Sequence, residues 1–119
     1  MRVLLVDDSA LSRMMIRSLI LEKFPDCEIV EAGTGDEALA LPASPSFDLI
    51  TVDINMPGLD SFEAAKQLHE KHPASKMAVI TANIQNSIRK KIQSLGIMFI
   101  AVIEKPVTAE RMEKIIEAL

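Results

Sequence analysis

The chain has no tryptophan, no tyrosine and a single cysteine, Cys27. One cysteine cannot close an internal disulfide, so a reducing cytoplasmic compartment is the simplest home. Cys27 itself reads as a small buried hydrophobe rather than a reactive thiol. Basic charge is also short: 13 Lys and Arg against 17 Asp and Glu leave a net charge of −4. That argues against a nucleic-acid binder, which would carry a basic face. No apolar run approaches the roughly 20 residues of a membrane-spanning helix. The N-terminus shows no long apolar core of a secretory leader, so none is expected. His69 and His72 have no further His or Cys cluster around them, which leaves no ligand set for zinc. The turn after the first strand-like run, Asp7-Asp8-Ser9, is acidic rather than glycine-rich, and rings that would sandwich a flavin are scarce. Both points speak against a flavin carrier.

Apolar residues, by contrast, make up 49% of the 119 residues. A packed core and one domain spanning 1–119 follow. The centre of the pattern is Leu49-Ile50-Thr51-Val52-Asp53, an apolar and β-branched run ending in one carboxylate, with Pro57-Gly58 as a turn just beyond. Only a strand covered on both faces is so uniformly apolar. Asp53 then sits where a buried strand meets solvent. It is a helix cap, an ion-pair partner or a reactive group.

Four further strands read as Arg2–Val6, Cys27–Glu31, Met77–Thr81 and Phe99–Ile103. The two glutamates of the second suit a sheet edge. Helical spacing runs from about Leu11 to Phe24, capped by Asp8 or Ser9, with Leu11, Met14, Met15, Leu19 and Ile20 as its stripe. Met14, Met15, Met77 and Met112 are expected in core stripes. Further helices are predicted over Asp36–Leu41, from Asp60-Ser61-Phe62-Glu63 to about Lys71, after Ala82-Asn83 to about Leu95 with Gly96 as C′ residue, and after a Thr108 cap. Met98 and Ile97, if both exposed, would add to a partner or dimer surface.

Strand and helix alternate five times, which predicts an α/β, doubly wound parallel sheet. Ligands of such sheets bind beyond the carboxyl ends of the strands. Asp7, Asp8, Asp53, Thr81 and Lys105 all fall there. Singly, Asp7-Asp8 caps the first helix, Thr81 is a strand residue and Lys105 a solvated charge. Together they offer another chemistry. Three carboxylates on one edge call for a cation, and an all-oxygen donor set suits Mg2+. A carboxylate nucleophile, a lysine and a hydroxyl donor beside a divalent ion are the parts that take up a phosphoryl group.

Val-Asp-Asp-Ser at 6–9, Asp-Ile-Asn-Met-Pro-Gly-Leu-Asp at 53–60, Thr-Ala at 81–82 and Lys-Pro at 105–106 together resemble the response-regulator receiver domains of two-component systems. The resemblance covers the whole chain and implies a flavodoxin-like, CheY-like (βα)5 fold with strand order 2-1-3-4-5. It implies that Asp53 is the phosphoacceptor, served by a histidine kinase or histidine phosphotransfer protein. Asp8 and Asp53 would hold Mg2+ with the backbone carbonyl of Asn55, Asp7 assisting through water. Thr81 would be the switch hydroxyl and Lys105 the phosphoryl ion pair, with a cis peptide before Pro106. Asn55 and Asn83 match positions that tune dephosphorylation. The implied protein is a cytoplasmic signalling switch, not a metabolic enzyme. It would be a monomer or weak dimer that meets its target through the fourth helix, fifth strand and fifth helix, without nucleic-acid or membrane contacts. With Met1 leading straight into the first strand, a stand-alone regulator is expected.

Four departures from the family pattern stand out: Ser61 replaces glycine, Val102 and Val107 replace aromatics, and two extra residues lie between Gly96 and Lys105; all but Ser61 are expected near the face of the fourth helix, fifth strand and fifth helix. A ring swinging inward at Val102 is therefore not the readout. Two other readings compete. A haloacid-dehalogenase-type phosphatase would want a second Asp two residues after the first, where this chain has Asn55 or Ser9. A degenerate receiver would act as a phosphorylation-independent scaffold.

Overall fold

The structure, a computed structural model, describes residues 1–55, 60–82 and 84–119. Strands β1 (Arg2–Val6), β2 (Glu28–Ala32), β3 (Leu49–Val52), β4 (Lys76–Thr81) and β5 (Phe99–Glu104) alternate with helices α1 (Ala10–Lys23), α2 (Gly35–Leu39), α3 (Ser61–Lys71), α4 (Asn86–Ser94) and α5 (Ala109–Glu117). The sheet is parallel throughout, in the order β2-β1-β3-β4-β5. The expected doubly wound fold is thus present, and β2 is an edge strand. Its Glu28 and Glu31 take Arg2 at 2.8 Å and Arg13 at 3.0 Å, pairs that a central strand could not accommodate.

Period-two alternation divides the core into two layers. Leu4, Val6, Ile50, Val52, Met77 and Val79 face α2, α3 and α4, meeting Ala38, Ala65, Leu68 and Ile92. Val3, Leu5, Leu49, Ala78 and Ile80 face α1 and α5, meeting Ile16, Ile20, Met112 and Ile115. Each fully buried Val, Leu, Ile or Met side chain among them contributes about 1.5–3 kcal/mol. The helices start where short polar side chains cap them: Ser9 accepts from the Ser12 N–H, Thr34 from Glu37, Asp60 from Phe62 and Thr108 from Arg111. Gly96, after α4, has φ +69°, the left-handed conformation expected of a C′ glycine. The predicted Pro57-Gly58 turn lies outside the described residues, as does Asn83. Cys27 is half-buried against the α1/α5 layer, and burial pushes its thiol pKa up.

Three packing expectations need correction. Met77 and Met112 are buried, but Met14 is 57% exposed, Met15 36% and Leu11 62%. Apolar residues surround much of α1, so spacing alone did not reveal which stripe meets the sheet. Ile16 and Ile20 do, and Leu11, Met14 and Met15 form a neighbouring solvent-facing stripe. Val107 is a buried core residue of the α1/α5 layer rather than part of the α4–β5–α5 surface. The joint exposure required of Ile97 and Met98 is absent, because Met98 is 91% exposed while Ile97 packs against the first layer.

The β4–β5 register explains one surplus residue. Met77 pairs with Phe99 but Ala78 with Ala101, so Ile100 has no cross-strand counterpart. Ile100 and Ala101 consequently both join the α1/α5 layer, and the surplus is absorbed as a bulge.

At the opposite end of the sheet from Asp53, His72 is 3% exposed, its ring edge-on to Phe47 with centroids 5.3 Å apart. Neither ring nitrogen has a hydrogen-bond partner among the described residues. Burial, then the charges of Lys71 and Arg2, pull its pKa below the ordinary 6.5. The unfolded chain therefore takes up a proton near pH 6.5 that the folded chain refuses. Stability is expected to fall as pH drops below 6.5, by at most about 1.4 kcal/mol per pH unit from this group. Urea midpoints at pH 7.5 and 5.5 check this, and His72→Gln should flatten the difference. An unchanged slope in that variant would exclude His72 as the cause.

Candidate functional site

Three strand ends bring the acids together. β1 hands the chain to Asp7, whose N–H donates to the Ala32 carbonyl at 3.0 Å. Its Oδ1 accepts the Ser9 N–H at 2.8 Å and so shapes the turn into α1. β3 hands the chain to Asp53, whose N–H donates to the Val6 carbonyl at 2.9 Å and whose Oδ1 accepts the Asn55 N–H at 2.9 Å. β5 ends beside β4, where the Lys105 N–H donates to the Thr81 carbonyl at 2.9 Å. The Lys105–Pro106 bond is cis, as is Ser44–Pro45.

Lys105 Nζ lies 2.9 Å from Asp53 Oδ2 and 3.0 Å from Asp7 Oδ1 as a hydrogen-bond donor to both. It also lies 2.9 Å from Asp7 Oδ2, an ionic contact without hydrogen-bond alignment, so that buried oxygen has no aligned donor. Asp7 is 1% and Asp53 4% exposed, whereas Asp8 is open to solvent. One carboxylate oxygen from each of Asp7, Asp8 and Asp53 lies within 4.8 Å of the others. Burial pushes the Asp7 pKa up, only partly offset by the Lys105 and Ser9 hydrogen bonds. Burial alone would lower the Lys105 pKa, but its bonds to Asp7 and Asp53 outweigh that and raise it. Lys105 is thus a firm ammonium, a single cation set against two buried carboxyl groups with a third nearby. A buried acceptor without a donor, in an all-oxygen set, fits a small hard cation such as Mg2+.

Thr81 is fully buried, and its Oγ1 meets no hydrogen-bond partner among the described residues. A buried hydroxyl without a partner is costly, and a group that supplies an acceptor would relieve it. The structure therefore gathers Asp7, Asp8, Asp53, Thr81 and Lys105 on one edge, with the Asn55 backbone beside Asp53. His69 and His72 stand apart from this cluster. Sequence reasoning missed Arg13, whose Nη1 donates to the Asp7 carbonyl at 2.5 Å. The available signal was an arginine three residues before Ile16, on the face of α1 that meets the sheet.

Val102 is half-buried and borders a cleft of about 400 Å3 with Ile84, Arg89, Glu104, Arg111 and Lys114. The cleft lies on the α4–β5–α5 face, and Asp7, Asp8 and Asp53 do not line it.

A 2-1-3-4-5 parallel sheet with an acidic cluster at its carboxyl edge defines a flavodoxin-like α/β protein with a cation-attracting site. More narrowly, the response regulator receiver domain pattern matches residues 3–117, and the chain belongs to that family. It is 40% identical over 106 residues to protein-glutamate methylesterase/protein-glutamine glutaminase 2 of Methanospirillum hungatei JF-1, covering 88% of this chain and 30% of that protein. Protein-glutamate methylesterase/protein-glutamine glutaminase 1 of Syntrophus aciditrophicus is 35% identical over 111 residues, covering 92% of this chain and 31% of that protein. The chain thus spans about a third of the length of these curated relatives. Among solved structures, the chemotaxis protein CheY4 of Vibrio cholerae superposes with a TM-score of 0.81 at 26% identity, covering 98% of this chain and 96% of that one. Among the described residues no helix is long and apolar enough to cross a membrane.

Proposed function

We propose that residues 1–119 form one receiver domain that works as a phosphorylation-controlled signalling switch. Asp53 accepts a phosphoryl group from a histidine kinase or histidine phosphotransfer protein. The observation that carries this reading is the convergence of the Asp7, Asp8 and Asp53 carboxylates within 4.8 Å, with Lys105 bonded to two of them.

One carboxylate oxygen of Asp53 forms the new O–P bond as the donor's P–N bond breaks. The leaving imidazole keeps the electron pair and takes a proton. Asp7, Asp8 and Asp53, with the Asn55 carbonyl, would hold Mg2+. When bound, Mg2+ supplies charge neutralisation for the acids and the phosphoryl oxygens. Lys105 pairs with a phosphoryl oxygen, and the Thr81 hydroxyl donates to another. Both contacts exist only in the modified state, so they bias a pre-existing equilibrium. The domain acts in the cytoplasm as a binding module, with self-phosphorylation and autodephosphorylation as its only chemistry. Its target docks on α4, β5 and α5. The names of the relatives suggest that a protein-glutamate methylesterase is one effector of such a domain.

Mg2+ with beryllofluoride, a phosphoryl mimic, tests the reading. At a hundredfold excess over Kd it is expected to add about 2.7 kcal/mol of stability, or a rise in Tm of roughly 10 °C. No rise, together with no acyl phosphate after acetyl phosphate treatment, would sink it in favour of the scaffold.

Thr81→Ala separates uptake from readout. Labelling of Asp53 is expected to persist, while the gain in target affinity on phosphorylation drops about tenfold, the worth of one charge-assisted hydrogen bond. Metal-free stability should change by less than about 1 kcal/mol, because the lost methyl burial and the removed unpaired hydroxyl oppose each other. Titration of a captured target against both proteins, with and without beryllofluoride, checks this. An undiminished gain would remove Thr81 from the switch.

A further inference from the structure

Arg13 stands on the first turn of α1, and its side chain reaches back to the junction of β1 and β2. Nε donates to Glu31 Oε1 at 3.0 Å and Nη1 to the backbone carbonyl of Asp7 at 2.5 Å. Arg17, one turn on, lies 3.7 Å from the other oxygen of Glu31. The Asp7 N–H is already bonded to Ala32 at 3.0 Å. Both backbone polar groups of Asp7 are therefore held, the donor by β2 and the acceptor by the guanidinium.

The Asp7 carbonyl belongs to the peptide joining Asp7 to Asp8. A peptide is planar, so holding its oxygen sets the orientation of that plane and the direction in which Asp8 leaves it. Asp8 is exposed, unlike Asp7 and Asp53, so packing does little to aim its carboxylate. Yet that carboxylate converges with the other two. The backbone must do the aiming: the Asp7 carboxylate holds the Ser9 N–H on the far side of Asp8, and Arg13 holds the peptide on the near side. A planar fork suits this task, since it bonds a carboxylate and a carbonyl at once where an ammonium offers a point charge.

We infer that Arg13 is a positioning residue for the cation site: bridging Glu31 of the edge strand and the Asp7 carbonyl, it holds the Asp7–Asp8 peptide so that Asp8 faces the ion. The inference rests on the reading above that these carboxylates take Mg2+. It adds that their preorganisation depends on a side chain that touches neither the ion nor the phosphoryl group.

Calorimetric titration of MgCl2 into the full metal-free chain, with the unfolding midpoint measured in the same buffer, tests it. Arg13→Ala should bind Mg2+ about tenfold more weakly, the scale on which outer supports of metal ligands act. Arg13→Lys should recover part of that loss. Glu31→Gln removes the ion pair but keeps the guanidinium–carbonyl bond, so it should lose stability while binding Mg2+ nearly as wild type does. A purely structural role would instead make affinity follow stability across the three variants, and that result overturns the inference. So does wild-type affinity in folded Arg13→Ala. Should Arg13→Ala not fold, weaker binding by Arg13→Lys than by Glu31→Gln supports the inference, and equality overturns it. Absence of Mg2+ binding by wild type would defeat the Mg2+ reading itself, and this inference with it.

Discussion

Asp53→Asn is expected to abolish acyl-phosphate formation and the thermal response to beryllofluoride with Mg2+, while leaving the fold intact. The amide keeps the volume of the carboxylate, and its one oxygen can serve either the Asn55 N–H or Lys105 Nζ, each 2.9 Å away. It lacks the anionic oxygen that attacks phosphorus. Nor does the variant weaken the metal-free protein by losing a favourable charge. Asp7 and Asp53 are both buried beside a single Lys105, and the charge of Asp53 opposes ionisation of Asp7. Removing one of them is expected to leave metal-free stability unchanged or raised, as is common where sites built for function hold like charges together. The mass of the intact chain after acetyl phosphate treatment reports labelling, and urea unfolding reports stability. Labelling of Asp53→Asn at the wild-type level would place the phosphoacceptor elsewhere. Loss of labelling in an unfolded variant would not count, which is why both measurements are made.

Much of this site was legible in the sequence because a parallel sheet converts chain order into place. Each acid or base follows a β-rich run directly, and all parallel strands end on the same edge. Asp7, Asp53 and Lys105 had to meet once the alternation of strand and helix was read correctly. The two-sided covering of β1 and β3 was equally visible, since Val3 to Val6 and Leu49 to Val52 contain no charge. What failed was local. Helix α1 carries apolar residues on several sides, and only the sheet's position selects Ile16 and Ile20 over Met14 and Met15. The slip that leaves Ile100 unpaired depends on β4, far away in sequence. Arg13 was visible as a cation on a core-facing stripe, but its bond to a backbone carbonyl is a three-dimensional fact.

The same division applies to readout. Thr81 ends β4, and Val102 of β5 pairs with Val79, two residues before it. Val102 also packs against the layer that contains Ile92 of α4. Were Thr81 to shift as proposed, its movement would have a packed route to the α4–β5–α5 face without an aromatic ring. Being β-branched, Val102 has few rotamers, so backbone displacement would carry the signal rather than a swinging side chain.

Lys105→Met is expected to be the most destabilising change at the site in the metal-free protein. It leaves Asp7 and Asp53, 1% and 4% exposed, without their cation. Removing one partner of a buried pair costs about 3–5 kcal/mol, and the lower end applies because 15% of the Lys105 side chain still meets solvent. Against a typical total of about 5–15 kcal/mol, that is a large fraction. The sign with pH is definite. The raised lysine pKa means that Lys105 loses nothing by its own titration at pH 7 or below, only above the ordinary lysine range, so any change in acid comes from its carboxyl partners. Asp7, whose pKa burial raises, opposes folding when ionised, and that opposition fades as pH falls and the folded state binds the proton. The deficit of Lys105→Met should therefore shrink on acidification and on adding Mg2+. Asp7→Asn in the same chain should recover more than about 1 kcal/mol, the coupling expected of groups in direct contact. Urea midpoints for the two single variants and the double variant, at pH 7 and pH 5, supply the cycle. Additive losses, or a deficit that grows in acid, would mean that Lys105 does not offset buried carboxylate charge in the folded protein.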